Sequence, residues 1–263
     1  MKIGFIGTGN MGGALARAAA KGGHTLLLAN RTPAKAEALA QELGGTVCPN
    51  AQAAETAELL FLGVKPQGLP GLTGELAPVL QARKGNAPVV VSMATAVTLR
   101  ELDAMLGGGL PLIRIMPNTP AAVGAGTILY AAQNVTDAQL NAFRAVLAQA
   151  GLLLPLPEAQ IDAASAISGC GPAFCFQFAD ALALGGVRAG LSYPDACRLA
   201  AQTMLGAAEM LLQGGEAPDV LKMRVCSPAG TTIEGVLALE QGGFSYTVQN
   251  AVTAAYRRTV EMT

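Results

Sequence analysis

The chain has 263 residues, 51% of them hydrophobic and 13% charged, with a formal net charge of −1. That length admits one large domain or two small ones. With 17 basic and 18 acidic residues and no run of like charge, there is no basic face for a nucleic acid. Five cysteines without a CxxC pair, together with one histidine, exclude a zinc cluster and argue against a disulfide framework, so a reducing, cytoplasmic setting is expected.

The opening residues Met1 to Gly7 carry too short an apolar run for a signal peptide. No uninterrupted apolar stretch is long enough to span a bilayer. The richest, 172–187, is broken by Gln177, Asp180, Gly185 and Gly186, so no membrane partner is expected. Strands are expected at Lys2–Ile6, Thr25–Ala29, Leu59–Val64, Val89–Met93, Leu112–Met116, Gly126–Ala131 and Leu152–Pro155. Alanine-rich helices alternate with them, the first two at Met11–Lys21 and Pro33–Leu43, each stopped by a glycine pair. Leu59–Val64 is hydrophobic without alternation, as a strand buried on both faces must be. This rhythm predicts an α/β fold, a Rossmann-type parallel sheet covered on both sides, over residues 1–156.

After about Pro157 the rhythm changes. Ile161–Ile167, Pro172–Ala189, Pro194–Gln213, Pro218–Val225 and Phe244–Glu261 read as helices, three of them with proline in the first turn. Residues 157–263 are therefore expected to form an all-α domain. Phe174, Phe176, Phe178, Leu182 and Leu184 cannot all face one neighbour, and about a hundred residues of helix make a small core. Interleaving with a second copy resolves this, giving a homodimer that can assemble further. Packing on the first domain of the same chain is the alternative.

The segment Gly7-Thr8-Gly9-Asn10-Met11-Gly12 fits G-x-G-x-x-G between a predicted strand and a predicted helix, the context a dinucleotide site requires. Gly7 allows the tight turn, Gly9 lets backbone approach the pyrophosphate, and Gly12 lets the helix close on the strand. The end of the second strand reads Asn30-Arg31-Thr32, without the carboxylate that holds the 2′-hydroxyl of NAD. Arg31 can instead grip a 2′-phosphate, with Asn30 and Thr32 as donors, so the expected cofactor is NADP, NADPH being preferred and NADH possible. Val64-Lys65-Pro66, Ala94 and Asn118 sit at the ends of later strands, along the rim where ligands of such sheets bind.

These motifs, with Arg114-Ile115-Met116-Pro117-Asn118-Thr119-Pro120, Ser168-Gly169-Cys170-Gly171-Pro172 and above all Cys226-Ser227-Pro228-Ala229-Gly230-Thr231-Thr232, resemble pyrroline-5-carboxylate reductases along nearly the whole chain. The resemblance implies a Rossmann domain followed by a helical dimerisation domain, and reduction of L-1-pyrroline-5-carboxylate to L-proline by NAD(P)H. It also implies that Ser227, Gly230, Thr231 and Thr232 line the substrate pocket, with the Thr232 hydroxyl near the ring nitrogen as the catalytic group. Ala229 stands where glycine is usual, and it is strained if that position needs φ > 0. A helix-capping turn is the structural alternative for this segment. Two rivals are a β-hydroxyacid dehydrogenase, which the lack of any lysine between Lys84 and Lys222 disfavours, and a non-catalytic NADP sensor.

Overall fold

The computed structural model describes residues 1–83 and 85–261; Lys84 and the last two residues of the expected helical domain lie outside them. Two compact units emerge. One is Met1–Cys170 joined by the end of the chain from Tyr256, and the other is Gly171–Ala255.

The first unit is built on eight strands. They are β1 (Lys2–Ile6), β2 (Thr25–Ala29), β3 (Thr46–Val47), β4 (Leu59–Leu62), β5 (Val89–Ser92), β6 (Leu112–Pro117), β7 (Gly126–Gln133) and β8 (Gly151–Pro155). Their order in the sheet is β3-β2-β1-β4-β5-β6-β7-β8. Neighbours run parallel except β6 and β7, which are antiparallel. The parallel sheet expected from the sequence holds for every neighbouring pair but this one. Residues 118–125, mostly a 3₁₀ turn, are too few for a crossover and can only return the chain as a hairpin-like pair. The two-residue β3 at the sheet's edge was not anticipated either.

Helices α1 (Asn10–Ala20), α2 (Pro33–Leu43), α3 (Asn50–Thr56), α4 (Leu69–Ala82), α5 (Leu99–Met105), α6 (Asp137–Leu147) and α7 (Glu158–Ser168) complete the unit. β4 and β5 are buried along their whole length, consistent with helices on both faces. Two separate clusters form the core. Ile3, Phe5, Leu15 and Phe61 belong to one, with Phe5 stacked on Phe61 at 4.6 Å between centroids; Leu60, Leu62, Leu76 and Leu112 belong to the other.

Helix α7 belongs with the sheet, although sequence patterning assigns it to the helical domain. Its Ile161 is fully buried in the second cluster. Arg114 of β6, 2% exposed, donates to Asp162 at 2.6 Å and to Glu158 at 3.4 Å. Glu158 also accepts from the backbone N–H of Leu99 at 2.6 Å. A buried guanidinium must be matched by carboxylates, and both come from α7. The helix therefore cannot leave the sheet without stranding a charge.

The second unit comprises α8 (Gly171–Arg188), α9 (Tyr193–Gly214), α10 (Pro218–Val225), α11 (Thr231–Gln241) and most of α12 (Phe244–Val260). Sequence patterning gives no range for α11, although the capping alternative for the turn before it implies a helix there. Ser192 caps α9, accepting from the Asp195 N–H, and the Tyr193 hydroxyl ties α9 to α8 through Asp180 at 2.6 Å. That bond to Asp180, the main cause, holds the Tyr193 phenol well above its ordinary pKa. Few side chains are buried: Ala183, Ala196 and Ala200 are the buried hydrophobics of this unit, whereas Phe176 is 69% and Leu212 81% exposed.

Residues Glu158–Arg188 are, by length and mean hydropathy (1.3), long and apolar enough to cross a membrane. The sequence reading found no such stretch. Glu158 and Asp162 are held by Arg114, and Gly169-Cys170 separates α7 from α8, so the apolar surface left uncovered belongs mostly to α8, with Ile167 at the end of α7.

Candidate functional site

The sheet reverses direction of growth between β1 and β4: β2 and β3 lie to one side, β5 to β8 to the other. Chains leave the two central strands in opposite directions there, opening a crevice at their carboxyl ends. That crevice is a hollow of about 750 Å³ lined by Ile6, Gly7 and Gly9 from the β1 end, Asn30, Arg31, Thr32 and Lys35 from the β2 end, and Gly63, Val64, Lys65 and Gln67 from the β4 end. A second hollow of about 270 Å³ shares Gly63, Val64 and Lys65 and adds Met11, Pro66, Met93, Thr95, Met116 and Pro117.

The glycine turn is shaped by close approaches. Gly7 has φ +98°, and a Cβ there would lie 2.4 Å from the Gly63 carbonyl oxygen. A Cβ at Gly12 would lie 2.0 Å from the Gly7 oxygen, so α1 closes on β1 only because Gly12 has no side chain. At Gly9 an added Cβ meets nothing within 4 Å; the space above it is open, as the pyrophosphate of a dinucleotide needs.

Electrostatics point the same way. Neither α1, beginning behind Gly9, nor α2, beginning behind Thr32, is capped by a side chain, so both present first-turn N–H groups and a positive dipole end. Arg31, Lys35 and Lys65 line the hollow, and no ion pair among the described residues uses any of them. The Thr8 hydroxyl, buried beside the glycine turn, has no hydrogen-bond partner. Three unpaired cations, two uncapped helix starts and an orphaned hydroxyl fit a phosphate-rich dinucleotide.

Of the expected cofactor residues, Gly7, Gly9, Met11, Asn30, Arg31, Thr32, Val64, Lys65 and Pro66 line the two hollows; Asn10, Gly12, Ala94 and Asn118 do not. Ala94 is 1% exposed and its N–H donates to Ser92 Oγ, leaving its neighbours Met93 and Thr95 to form the wall. The Asn118 amide is occupied inside the unit, accepting from Thr127 N–H at 2.8 Å and donating to the Ser168 carbonyl at 2.8 Å. It pins the last turn of α7. Asn30 likewise spends its side chain on protein, accepting from Thr8 N–H at 3.1 Å and donating to Thr32 O at 2.9 Å, which locks the glycine turn to the β2 end. Sequence reasoning missed Lys35, Asn50, Gly71, Leu72 and Glu75, because only the strand order brings the starts of α3 and α4 to this crevice.

In the helical unit, residues 226–232 form a tight turn leading into α11. Gly230 is the N-cap, its N–H bonded to the Ser227 carbonyl, and Thr231 and Thr232 are the first helical residues. The Ser227 hydroxyl occupies the space a Gly230 Cβ would take, so a larger residue at 230 would turn that hydroxyl away. No side chain caps the helix, and the Ser227, Thr231 and Thr232 hydroxyls bond to no other described residue. A purely capping role for these three does not fit that pattern. The turn gathers three free hydroxyls and the positive end of a helix, a set suited to a small carboxylate.

Ala229 has φ +57°, the left-handed conformation anticipated as a source of strain. An L-residue there costs about 1–2 kcal/mol, of which glycine's looser unfolded state returns roughly half. Ala229→Gly therefore raises stability by about 0.5–1 kcal/mol, which thermal unfolding registers as a Tm higher by about 1–4 °C. A lower Tm would mean that the exposed methyl makes contacts worth more than the strain.

The chain matches the family model for the pyrroline-5-carboxylate reductase dimerisation domain over residues 158–262, and one described as NADP oxidoreductase coenzyme F420-dependent over residues 2–96. A curated pyrroline-5-carboxylate reductase of Synechocystis sp. is 42% identical over 217 residues, covering 81% of this chain and 78% of that protein. The solved pyrroline-5-carboxylate reductase from Coxiella burnetii superposes with a TM-score of 0.91 at 32% identity, covering 99% of this chain and 98% of that one. The Plasmodium falciparum pyrroline carboxylate reductase, solved with NADP bound, gives 0.87 at 29% identity, covering 100% and 98%.

Proposed function

As a member of the pyrroline-5-carboxylate reductase family, to which it belongs, the chain is an NADP-dependent oxidoreductase of proline biosynthesis, and we propose that it reduces L-1-pyrroline-5-carboxylate to L-proline with the residues described above. The observation that carries the assignment of roles is the turn before α11: three hydroxyls without protein partners at an uncapped helix start. The bound nicotinamide supplies the hydride.

The chain's own contribution is binding and orientation. Arg31 holds the 2′-phosphate, with Lys35 beside it, and the starts of α1 and α2 face phosphate. Backbone N–H groups of Gly230 to Thr232 and the Ser227 hydroxyl take the substrate carboxylate. The Thr232 hydroxyl bonds the ring nitrogen, where the proton must reside for the C=N carbon to accept a hydride. A protonated imine is already electrophilic, so no histidine base is required; His24 sits in the turn between α1 and β2 and lines neither hollow. In this reading the protein's work is positioning, and the bond-making power belongs to the cofactor.

We place the enzyme in the cytoplasm, a reducing compartment, in keeping with its five free cysteines, and assign it a homodimer that can build larger homo-oligomers. The exposed apolar side chains of α8 and α9 support the dimer, as does the match to a dimerisation domain. Mixing the protein with NADPH and L-1-pyrroline-5-carboxylate is the direct test: absorbance of the reduced nicotinamide falls with turnover. A β-hydroxyacid dehydrogenase would turn over only with a hydroxyacid, and a sensor would bind NADPH without consuming it.

Arg31→Asp should raise KM for NADPH by about a hundredfold, while KM for NADH moves only slightly, since the lost group meets only the 2′-phosphate. Equal effects on the two cofactors would take the 2′-phosphate away from Arg31.

A further inference from the structure

The large hollow has a far wall that the phosphate-binding groups do not explain. Val64, Gly68, Gly71, Leu72 and Glu75, from the β4 end through the first turns of α4, face Asn50 at the start of α3. An added Cβ at Gly71 would meet nothing within 4 Å, and one at Gly68 would reach only Val64 Cβ, at 4.0 Å. Leu72 is buried behind them. This is a flat, side-chain-poor slot with an apolar back and a carboxylate at its edge.

The carboxylate is the anomaly. The hollow takes a ligand with several phosphate charges, and an acidic lining group there repels it. Glu75 nevertheless shares the cavity with Arg31, Lys35 and Lys65 and is paired with none of them among the described residues. Its one bond is from Asn50 Nδ2 to Oε2, at 3.0 Å, which fixes the carboxylate and leaves Oε1 without a partner. Cations and carboxylate are thus kept apart, each free for a different part of the ligand. A fixed acceptor at the edge of a slot walled by Gly68 and Gly71, where no side chain projects, and backed by Leu72 calls for a ring bearing a donor on its rim. The dinucleotide has such a donor at its adenosine end, the exocyclic amine of adenine.

Resting on the cofactor assignment of this crevice, we propose that Glu75, held by Asn50, is a specificity-determining residue that accepts a hydrogen bond from the adenine amine and so selects adenine over hypoxanthine nucleotides. Hypoxanthine carries a carbonyl oxygen in place of the amine, setting acceptor against acceptor. The dinucleotide whose base is hypoxanthine is the probe. Calorimetric titration of the full-length protein should give a Kd about tenfold lower for NADPH than for reduced nicotinamide hypoxanthine dinucleotide phosphate. Glu75→Gln, whose amide oxygen stays on Asn50 and whose NH₂ therefore faces the slot, should bring that ratio to one or below. Its ligand-free Tm should stay within a few degrees of the native value, because the new amide oxygen still accepts from Asn50.

Native protein that binds both nucleotides equally, or a ratio that survives in Glu75→Gln, sinks the inference while leaving the cofactor site standing. If neither nucleotide binds the native protein, the assignment of the crevice falls and the inference with it.

Discussion

Thr232→Ala lowers kcat by about a hundredfold and leaves the Kd for NADPH where it was. The expectation follows from where the hydroxyl sits. Thr232 is the second residue of α11, exposed, and bonded to no described residue, so its removal leaves nothing unsatisfied and the fold keeps its stability to within about 0.5 kcal/mol. In the proposed role beside the ring nitrogen, a hydroxyl with no structural duty acts on the reacting bond alone, which makes kcat the affected quantity. Steady-state kinetics with L-1-pyrroline-5-carboxylate, alongside fluorescence titration of NADPH, separates the two effects. Thr232→Ser, retaining the hydroxyl, restores most of the rate. An unchanged kcat in the alanine variant would remove Thr232 from the mechanism.

The glycine turn yields the second large effect, and a contrast within six residues. Gly12→Ala forces a methyl to within 2.0 Å of the Gly7 carbonyl oxygen, and both atoms are held by backbone. Relief requires α1 to move off β1, which costs about 3 kcal/mol and lowers Tm by roughly 6–12 °C. Gly9→Ala places its methyl in open space at a φ of −72°, which alanine adopts freely, so the free protein melts at the native temperature. In the proposed cofactor site the same methyl stands where the pyrophosphate comes nearest the backbone, so Kd for NADPH is expected to rise by about ten- to a hundredfold. Thermal unfolding without ligand, followed by titration, tests both. A stability loss at Gly9 as large as at Gly12 would show that the turn is tight everywhere and has no open side.

Much of this was legible in the residues themselves. The crevice could be read because G-x-G-x-x-G between a strand and a helix is a local pattern, and a local pattern survives without knowledge of the fold. Ala229 drew notice only through the family resemblance, as a side chain where glycine is usual and strained if the position needs φ > 0; its φ is +57°. What escaped depends on pairing at a distance. Glu75 and Asn50 meet across 25 residues because α3 and α4 both start beyond the carboxyl ends of parallel strands, β3 and β4, that have two strands between them in the sheet. The ion pairs that hold α7 to β6 span 44 and 48 residues, and nothing in the spacing of Glu158 or Asp162 announces them. The antiparallel β7 is an intermediate case. Its eight-residue connection from β6 is visible in the chain, but the regular alternation before it invited a parallel reading. Asn118 was misread for a related reason: a polar residue at a strand end has the right address for a ligand, and only the contacts reveal that both ends of its amide are taken.

The helical unit has almost no interior. Small alanines supply its buried hydrophobic positions, while most of its large apolar side chains, Phe176, Leu205, Met210 and Leu212 among them, are exposed. A structure of that kind has little core of its own, so in the proposed homodimer its survival becomes a collective property: dilution acts on it as a denaturant would, and crowding more copies together prolongs the life of each. The half that carries the nucleotide crevice, with two closed clusters of its own, is exempt from that dependence. Abundance and durability are thereby coupled in one part of the molecule and independent in the other.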